Sequence, residues 1–132
     1  AAAAEVWRYP DPQGMALRRA LAAAHGVGVD EIVLGNGSHE ILMLLAQCFA
    51  EAGDEVLYSQ YGFAVFPIAT AAAGATPVVA PALPTDAAMP RGHDIAALAA
   101  RVGPRTRLVY VANPNNPTGT SVPVEALVPL LE

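Results

Sequence analysis

The chain has 132 residues and a formal net charge of −5, from 12 acidic and 7 basic side chains, which is about one domain's worth of sequence. All seven basic residues are arginines, and the absence of lysine excludes any mechanism in which this chain supplies a Schiff-base lysine. The acidic balance argues against binding to nucleic acid or to an anionic membrane surface, because both are negatively charged.

Hydrophobic residues make up 54% of the chain and charged residues 14%, so a packed core is expected rather than disorder. Cys48 is the single cysteine, which excludes an intrachain disulfide and is typical of a reducing compartment. The sequence shows no signal peptide, and its longest apolar stretch, 41–50, is too short to span a bilayer. We therefore expect a cytoplasmic protein with no membrane partner.

The first predicted element is a helix that Asp11 caps, with Pro12 at its first position and Gly26 as its stop signal. A short buried strand is expected at 32–34 and a second helix at 38–53. Apolar residues nearly encircle this second helix, which indicates that it is buried between a sheet and other elements.

Strands and helices continue to alternate along the rest of the chain. The predicted segments are a strand at 55–58, a helix at 63–73, a strand at 76–80, an irregular connection at 81–91, a helix at 95–102 capped by Asp94, a strand at 107–112, a proline-rich loop at 113–119 and a helix from 125 to 132. This alternation indicates βαβ units. The fold class that we predict is α/β, with three layers, α/β/α, around a mostly parallel sheet.

Residues 35–40, with the sequence GNGSHE, form a glycine-rich turn before the second helix. Glycines let the backbone approach a ligand closely, and the free N–H groups at a helix start bind anions such as phosphate. A plain turn capped by Ser38 is the structural alternative. A dinucleotide site is a weaker interpretation, because Glu40 occupies the third glycine position and no acidic residue ends the second strand.

A second motif, NPNNPTG at 113–119, follows the last predicted strand. In open α/β sheets, the carboxyl ends of the strands face the ligand crevice. The two prolines restrict the backbone, in cis form if the turn requires it, and hold the asparagine amides in one orientation. An amide there can donate to a phenolate or phosphate oxygen. A rigid turn whose asparagines satisfy backbone groups is the structural alternative.

Aromatic residues follow another strand, at Tyr61, Phe63 and Phe66. One of them can stack on a planar heteroaromatic ring, although isolated aromatics are more often part of the core. A phosphate cradle, a stacking aromatic and a polar amide at three neighbouring strand ends are what a pyridoxal phosphate site needs.

In the order and spacing of four motifs, the sequence resembles the fold-type I aminotransferases and, within them, the histidinol-phosphate aminotransferase family. These motifs are RYPD at 8–11, GNGSHE at 35–40, GFAVFP at 62–67 and NPNNPTG at 113–119. The resemblance extends over nearly the whole chain. It implies that residues 1–132 form part of the large, pyridoxal phosphate-binding domain, without the family's N-terminal small-domain segment and C-terminal half.

The resemblance also implies a set of cofactor contacts. Gly37, Ser38 and His39 would surround the phosphate of pyridoxal phosphate, the last two through backbone N–H groups. Phe63 would stack on the pyridine ring, and Asn116 would hydrogen-bond the 3′-oxygen and tune the electron sink. His39 is a departure from the Asp, Asn or Glu that family members often carry, and a backbone contact tolerates that change.

Tyr9 would reach the phosphate of the neighbouring subunit, so the resemblance implies a homodimer with shared sites. The family's ring-nitrogen aspartate, aldimine lysine and phosphate-binding arginine all lie beyond the asparagine–proline loop. No catalytic residue can therefore be assigned in these residues. Because the chain contains no lysine, we expect it to be inactive alone.

As a function, the resemblance implies transfer of an amino group between histidinol phosphate and 2-oxoglutarate in histidine biosynthesis, with a small-molecule amino donor and a 2-oxo acid as partners. An aromatic or other amino-acid aminotransferase and a phosphothreonine decarboxylase of the same fold are alternatives. A non-catalytic phosphate-binding module and a structural fragment that does not fold alone are alternatives from other classes. The three separated histidines predict no metal site.

Overall fold

The structure is a computed structural model that describes Trp7 and residues 9–131. The chain divides into two compact units, residues 1–37 and residues 38–132. Arg8, which belongs to the first motif, and Glu132, which ends the last predicted helix, lie outside the described residues.

The first unit is built on helix α1, Met15–His25. Asp11 lies before the helix, and its carboxylate accepts hydrogen bonds from the N–H groups of Gln13 and Met15 at 3.0 and 2.8 Å. These bonds, above all the one from Met15, lower the pKa of Asp11. The prediction that Asp11 is the N-cap was wrong, because Gly14 is the residue directly before the helix; Asp11 instead holds the preceding turn and accepts the N–H of the first helical residue, Met15. The prediction that Pro12 is the first helical residue was also wrong. Pro12 lies in the turn before the helix, which the bonds from Gln13 and Met15 to Asp11 close.

Helix α1 ends at Gly26, as predicted. Gly26 has a φ of 68°, in the left-handed region that favours glycine. The N–H groups of Gly26 and Val27 both donate to the carbonyl of Ala22, at 2.9 and 3.2 Å. This geometry satisfies carbonyl groups that would otherwise be unpaired at the helix end.

The strand predicted at 32–34 is absent from this unit, and the prediction was wrong. The chain forms a 3-10 helix at Val29–Glu31 and no regular structure from 32 to 35. A strand requires a hydrogen-bonded neighbour, and every strand among the described residues lies in the second unit. Val33 is accordingly 74% exposed.

The second unit alternates helices with strands. Its elements are helix α2 at Ser38–Phe49, strand β1 at Glu55–Ser59, helix α3 at Val65–Ala72, strand β2 at Thr76–Ala80, helix α4 at Ile95–Ala99, strand β3 at Thr106–Tyr110 and a 3-10 helix at Val124–Leu130. The strands form one sheet in the order β2-β1-β3, and both pairs are parallel. The predicted parallel sheet is therefore confirmed.

Helices cover both faces of this sheet, because the side chains of β1 alternate between two apolar clusters. Val56 and Tyr58 pack on one face with residues of α2 and α3. Leu57 packs on the other face with Ala80 and with Leu98 of α4. Each face of the sheet is thus buried against a layer of helices. This is the three-layer α/β/α arrangement that was predicted.

Several element ends differ from the predicted ones. Helix α2 ends at Phe49, four residues before the predicted stop, and β3 ends at Tyr110, two residues earlier than expected. The last segment is a 3-10 helix that contains Pro129, which lacks an N–H and cannot join an α-helical ladder. Asp94 caps α4 as predicted, and its Oδ1 accepts a bond of 2.9 Å from the N–H of Ala97.

The connection between β2 and α4 is more ordered than the prediction of an irregular segment. Leu83 N–H donates to the carbonyl of Gly92 at 2.9 Å, and Arg91 N–H donates to the carbonyl of Leu83 at 3.1 Å. Ala82 and His93 form an antiparallel bridge at its base. We call residues 82–93, which these bonds close into a loop, the closed connection.

In the part of the chain that the structure describes, no helix has the length and apolar character needed to cross a membrane.

Candidate functional site

A cleft of about 260 Å³ opens at the carboxyl end of β1 and β3. Its lining residues are Ser38, Leu42, Phe63, Phe66, Tyr110, Val111, Ala112 and Asn116. They come from the first half of α2, the turn after β1, the start of α3, the last residue of β3 and the segment that follows β3. This edge of a parallel sheet is where α/β proteins bind ligands.

The cleft has an aromatic wall. Phe66 stacks on Tyr110 with ring centroids 4.7 Å apart and an interplanar angle of 5°. Phe63 meets Phe66 edge to face, with centroids 6.0 Å apart and an angle of 89°. Phe66 and Tyr110 are buried, whereas Phe63 is half-buried. Phe63 therefore packs by its contact with Phe66, which in turn stacks on Tyr110. The part of the Phe63 ring that stays exposed is available to a ligand.

Tyr110 joins β3 to α2 beneath this wall. Its hydroxyl donates a hydrogen bond of 2.5 Å to the carbonyl of Leu42. Burial raises the pKa of Tyr110, and burial also raises the pKa of Tyr58. Both phenols are therefore protonated at neutral pH, so Tyr110 acts as a donor there.

Ser38 begins helix α2 on another side of the cleft. The first four N–H groups of a helix have no partner within the helix, and they bind anions with the help of the helix dipole. Ser38 and His39 are both exposed. This helix start can therefore accept a phosphate group at the mouth of the cleft.

The loop at 113–119 has two cis peptide bonds, Asn113–Pro114 and Asn116–Pro117. The side chain of Asn113 donates to the carbonyl of Val122 at 2.8 Å and accepts from the N–H of Val122 at 3.0 Å. Asn113 is thus engaged in closing the loop.

Asn115 and Asn116 have different environments in this loop. Asn115 is 2% exposed, and its amide donates to the carbonyl of Tyr61 at 2.9 Å and to Thr118 Oγ1 at 2.8 Å. Asn116 is exposed and lines the cleft. Of the three asparagines, Asn116 alone places its side chain at the cleft, where it can reach a ligand.

The structure brings together three of the residues that the sequence suggested. Ser38, Phe63 and Asn116 line the same cleft. His39 lies next to Ser38 in the first turn of α2 but does not line the cleft. Gly37, with a φ of 82°, and Tyr9, which is fully exposed, belong to the first unit.

Sequence reasoning missed the supporting residues of the site. In the sequence, Tyr110 is one of several apolar residues of a predicted strand, and nothing local indicates its bond to Leu42. Asn115 stands in the motif, but its burial follows from contacts with the distant turn at Tyr61. Among the described residues, no group of three His, Cys, Asp or Glu side chains could hold a metal ion.

Comparison with known proteins identifies the family. The model of the family "Aminotransferase class I and II" matches residues 1–132. The chain belongs to this family.

Individual relatives point to one branch. The chain is 52% identical to histidinol-phosphate aminotransferase of Rhodospirillum centenum over 128 residues, which cover 96% of this chain and 33% of the relative. It is 49% identical to the enzyme of that name from Roseobacter denitrificans, with 95% and 33% covered. The chain thus spans about a third of the length of the curated relatives that it matches.

Solved structures agree with the family assignment. Histidinol-phosphate aminotransferase from Sinorhizobium meliloti, solved in complex with pyridoxal-5′-phosphate, has a TM-score of 0.83 and 34% identity, covering 96% of this chain and 33% of that one. N-succinyldiaminopimelate aminotransferase from Mycobacterium tuberculosis has a TM-score of 0.83 and 31% identity, covering 98% and 35%. The fold is therefore that of the fold-type I aminotransferases, as predicted.

Proposed function

We propose that this chain forms part of the cofactor-binding large domain of a pyridoxal phosphate-dependent aminotransferase. The full activity is transfer of an amino group between histidinol phosphate and 2-oxoglutarate, in histidine biosynthesis. The observation that carries the proposal is the cleft that unites Ser38, Phe63 and Asn116. The curated relatives named histidinol-phosphate aminotransferase support the choice of substrate.

The residues at the cleft fit this cofactor in chemistry and in size. A helix start suits its phosphate, an aromatic ring suits its pyridine face, and an amide suits its phenolic oxygen. The volume of about 260 Å³ is just below the range of roughly 300–1,000 Å³ that is usual for small-molecule sites. The site therefore accommodates a small planar phosphate ester better than a dinucleotide.

Each residue has a separate task in this proposal. Ser38 and His39 would bind the phosphate through backbone N–H groups, and the resemblance places Gly37 in the turn that precedes them. Phe63 covers one face of the ring and excludes water from it. Asn116 would donate a hydrogen bond to the 3′-oxygen and so orient the ring. When it is bound, pyridoxal phosphate supplies the electron sink for chemistry at the amino carbon.

Proton transfer at the amino carbon needs a group that these residues do not supply. The chain contains no lysine, and the family resemblance places the lysine and the ring-nitrogen aspartate outside it. We therefore expect the 132-residue chain to bind the cofactor without turning over substrate.

Tyr9 completes the proposed assembly. It is 100% exposed, which suits a residue that reaches the cofactor phosphate of a neighbouring subunit in a homodimer.

A cytoplasmic location also stays a prediction, based on the single cysteine.

Histidinol phosphate is favoured over the alternative substrates by the relatives' names and not by the fold. An aspartate aminotransferase variant from Thermus thermophilus has a TM-score of 0.80 at 31% identity, so aminotransferases with other substrates share this architecture. An aromatic or other amino-acid aminotransferase and a phosphothreonine decarboxylase are the remaining outcomes of a substrate assay.

A chimera tests the function directly. We would replace the matching third of the Rhodospirillum centenum enzyme with residues of this chain and assay histidinol phosphate, phenylalanine and phosphothreonine with 2-oxoglutarate. Transamination of histidinol phosphate above the other two supports the proposal. A folded chimera that prefers phenylalanine, or that releases carbon dioxide from phosphothreonine, would contradict the assigned substrate.

A further inference from the structure

The closed connection contacts the asparagine–proline loop near both of its ends. At the entry to the loop, His93 Nε2 bonds to the carbonyl of Ala112 at 2.8 Å. At its exit, a Cβ on Gly92 would lie 3.2 Å from Thr120 Oγ1, which shows how closely the side chain of Thr120 approaches the backbone of the connection. The connection is therefore packed against the loop that carries Asn116.

His93 is the polar residue at the centre of this contact. It is 3% exposed. The carbonyl of Ala112 can only accept, so Nε2 carries the proton and donates. Nδ1 is buried and has no hydrogen-bond partner among the described residues. A buried ring with one unsatisfied nitrogen costs free energy, and an apolar residue would fill the same space without that cost.

Ala112 connects this bond to the cleft. It lines the cleft itself and is followed by the cis Asn113–Pro114 bond. The rest of the loop is held from within, since Asn115 N–H donates to the carbonyl of Thr120 and Gly119 N–H donates to the carbonyl of Asn115, both at 2.7 Å. The bond from His93 holds the entry of this loop, and the bond from Asn115 to the carbonyl of Tyr61 holds its middle.

A third contact involves the turn that accepts the amide of Asn115. The guanidinium carbon of Arg91 lies 5.5 Å from the centre of the Tyr61 ring, a cation–π distance. The carbonyl of Tyr61 accepts the amide of Asn115. The closed connection therefore also contacts the turn on which the loop rests.

We propose that His93 is a positioning residue for Asn116: by donating to the carbonyl of Ala112, it sets the loop at the position from which Asn116 reaches the 3′-oxygen of pyridoxal phosphate. This inference rests on the proposed function for its cofactor. It predicts that His93 affects the recognition of the ring and not the binding of the phosphate group.

Two amide variants of the 132-residue chain separate positioning from packing. In His93→Gln, the amide nitrogen lies close to the place of Nε2 and can still donate to Ala112, whereas in His93→Asn the amide is one methylene too short. We expect His93→Asn to bind pyridoxal phosphate about two- to tenfold more weakly, the loss of one uncharged hydrogen bond. His93→Gln should retain the wild-type affinity, and neither variant should change the affinity for inorganic phosphate.

A double-mutant cycle shows whether His93 acts through Asn116. If it does, His93→Asn causes no further loss of affinity in an Asn116→Ala background. Equal losses in both backgrounds, or equal binding by the Gln and Asn variants, would overturn the proposal.

The tautomer of His93 gives a readout that needs neither a variant nor a cofactor. Long-range proton–nitrogen NMR of the wild-type chain should show the proton on Nε2, and a proton on Nδ1 alone would overturn the bond to Ala112. Wild-type binding of pyridoxal phosphate no tighter than that of inorganic phosphate would instead overturn the proposed function, and with it the role of Asn116. The NMR result and the binding result thus distinguish the two failures.

Discussion

At the scale of single residues, the three asparagines of the loop after β3 show how neighbouring identical side chains acquire different roles. Asn113 closes the loop through Val122, Asn115 is buried beneath it, and Asn116 lines the cleft. Only the last can contact a ligand in the cleft. Substitutions at these positions should therefore have different consequences.

Asn116→Ala should weaken the binding of pyridoxal phosphate about tenfold or more, because it removes a hydrogen bond to an oxygen that carries negative charge. The free energy of unfolding should stay unchanged, since this side chain is exposed. Fluorescence titration and urea denaturation measure the two quantities.

Asn115→Ala is the matched control. It leaves the carbonyl of Tyr61 without its donor, so the free energy of unfolding should fall by about 1–3 kcal/mol. A stable Asn115→Ala chain, together with an unstable Asn116→Ala chain, would reverse the roles assigned to the two residues.

The buried phenols predict how stability depends on pH. Burial raises the pKa of Tyr58 and of Tyr110 above the ordinary value near 10. The folded state then holds these protons more tightly than the unfolded state, so the stabilisation is complete below about pH 10 and is lost as the pH rises through the folded-state pKa. The free energy of unfolding should therefore decrease above pH 10. Tyr110→Phe should make this decrease smaller, and an unchanged slope would contradict the account.

At the scale of elements, helix α4 depends on its cap. The carboxylate of Asp94 accepts the N–H of Ala97 at 2.9 Å, and the five-residue helix buries Leu98 against β1. Asp94→Ala should lower the free energy of unfolding by about 0.5–2 kcal/mol, the usual cost of losing such a cap. Urea denaturation measures this loss. Asp86→Ala, at an exposed position in the closed connection, is the control that should cost almost nothing.

The elements also show what a single sequence can predict. Residues 76–80 form a strand as predicted, since β-branched residues and a preceding glycine mark it locally. The prediction of a strand at 32–34 was wrong. A short apolar run is compatible with a strand, but a strand also needs a hydrogen-bonded neighbour, which the run itself does not determine. The early end of α2 is an error in a helix boundary, which sequence patterns define poorly. The 3-10 form of Val124–Leu130 is consistent with the proline that it contains.

The same limit applies to the candidate site. Motif residues such as Ser38, Phe63 and Asn116 were visible because glycine, aromatic and Asn–Pro patterns carry local information. His93 was not visible, since its importance comes from a bond to Ala112, 19 residues away. The Tyr110–Leu42 bond spans 68 residues. Local patterns thus indicated residues that line the cleft, whereas the contacts that hold those residues depend on the fold.

At the scale of the whole molecule, the family assignment explains what the length and the lack of lysine imply. The chain belongs to the class I and II aminotransferases and spans about a third of its curated relatives. It contains no lysine, so we expect any binding of the cofactor to this chain to occur without turnover. Recognition can therefore be measured without catalysis.

The most direct test compares the affinity of the 132-residue chain for pyridoxal phosphate with its affinity for inorganic phosphate, by equilibrium titration of each. The account predicts that pyridoxal phosphate binds at least about tenfold more tightly, a difference of about 1.4 kcal/mol, and that Asn116→Ala removes most of this preference. Equal affinities for the two ligands, with Asn116→Ala indistinguishable from the wild type, would contradict it and favour a non-catalytic phosphate-binding module.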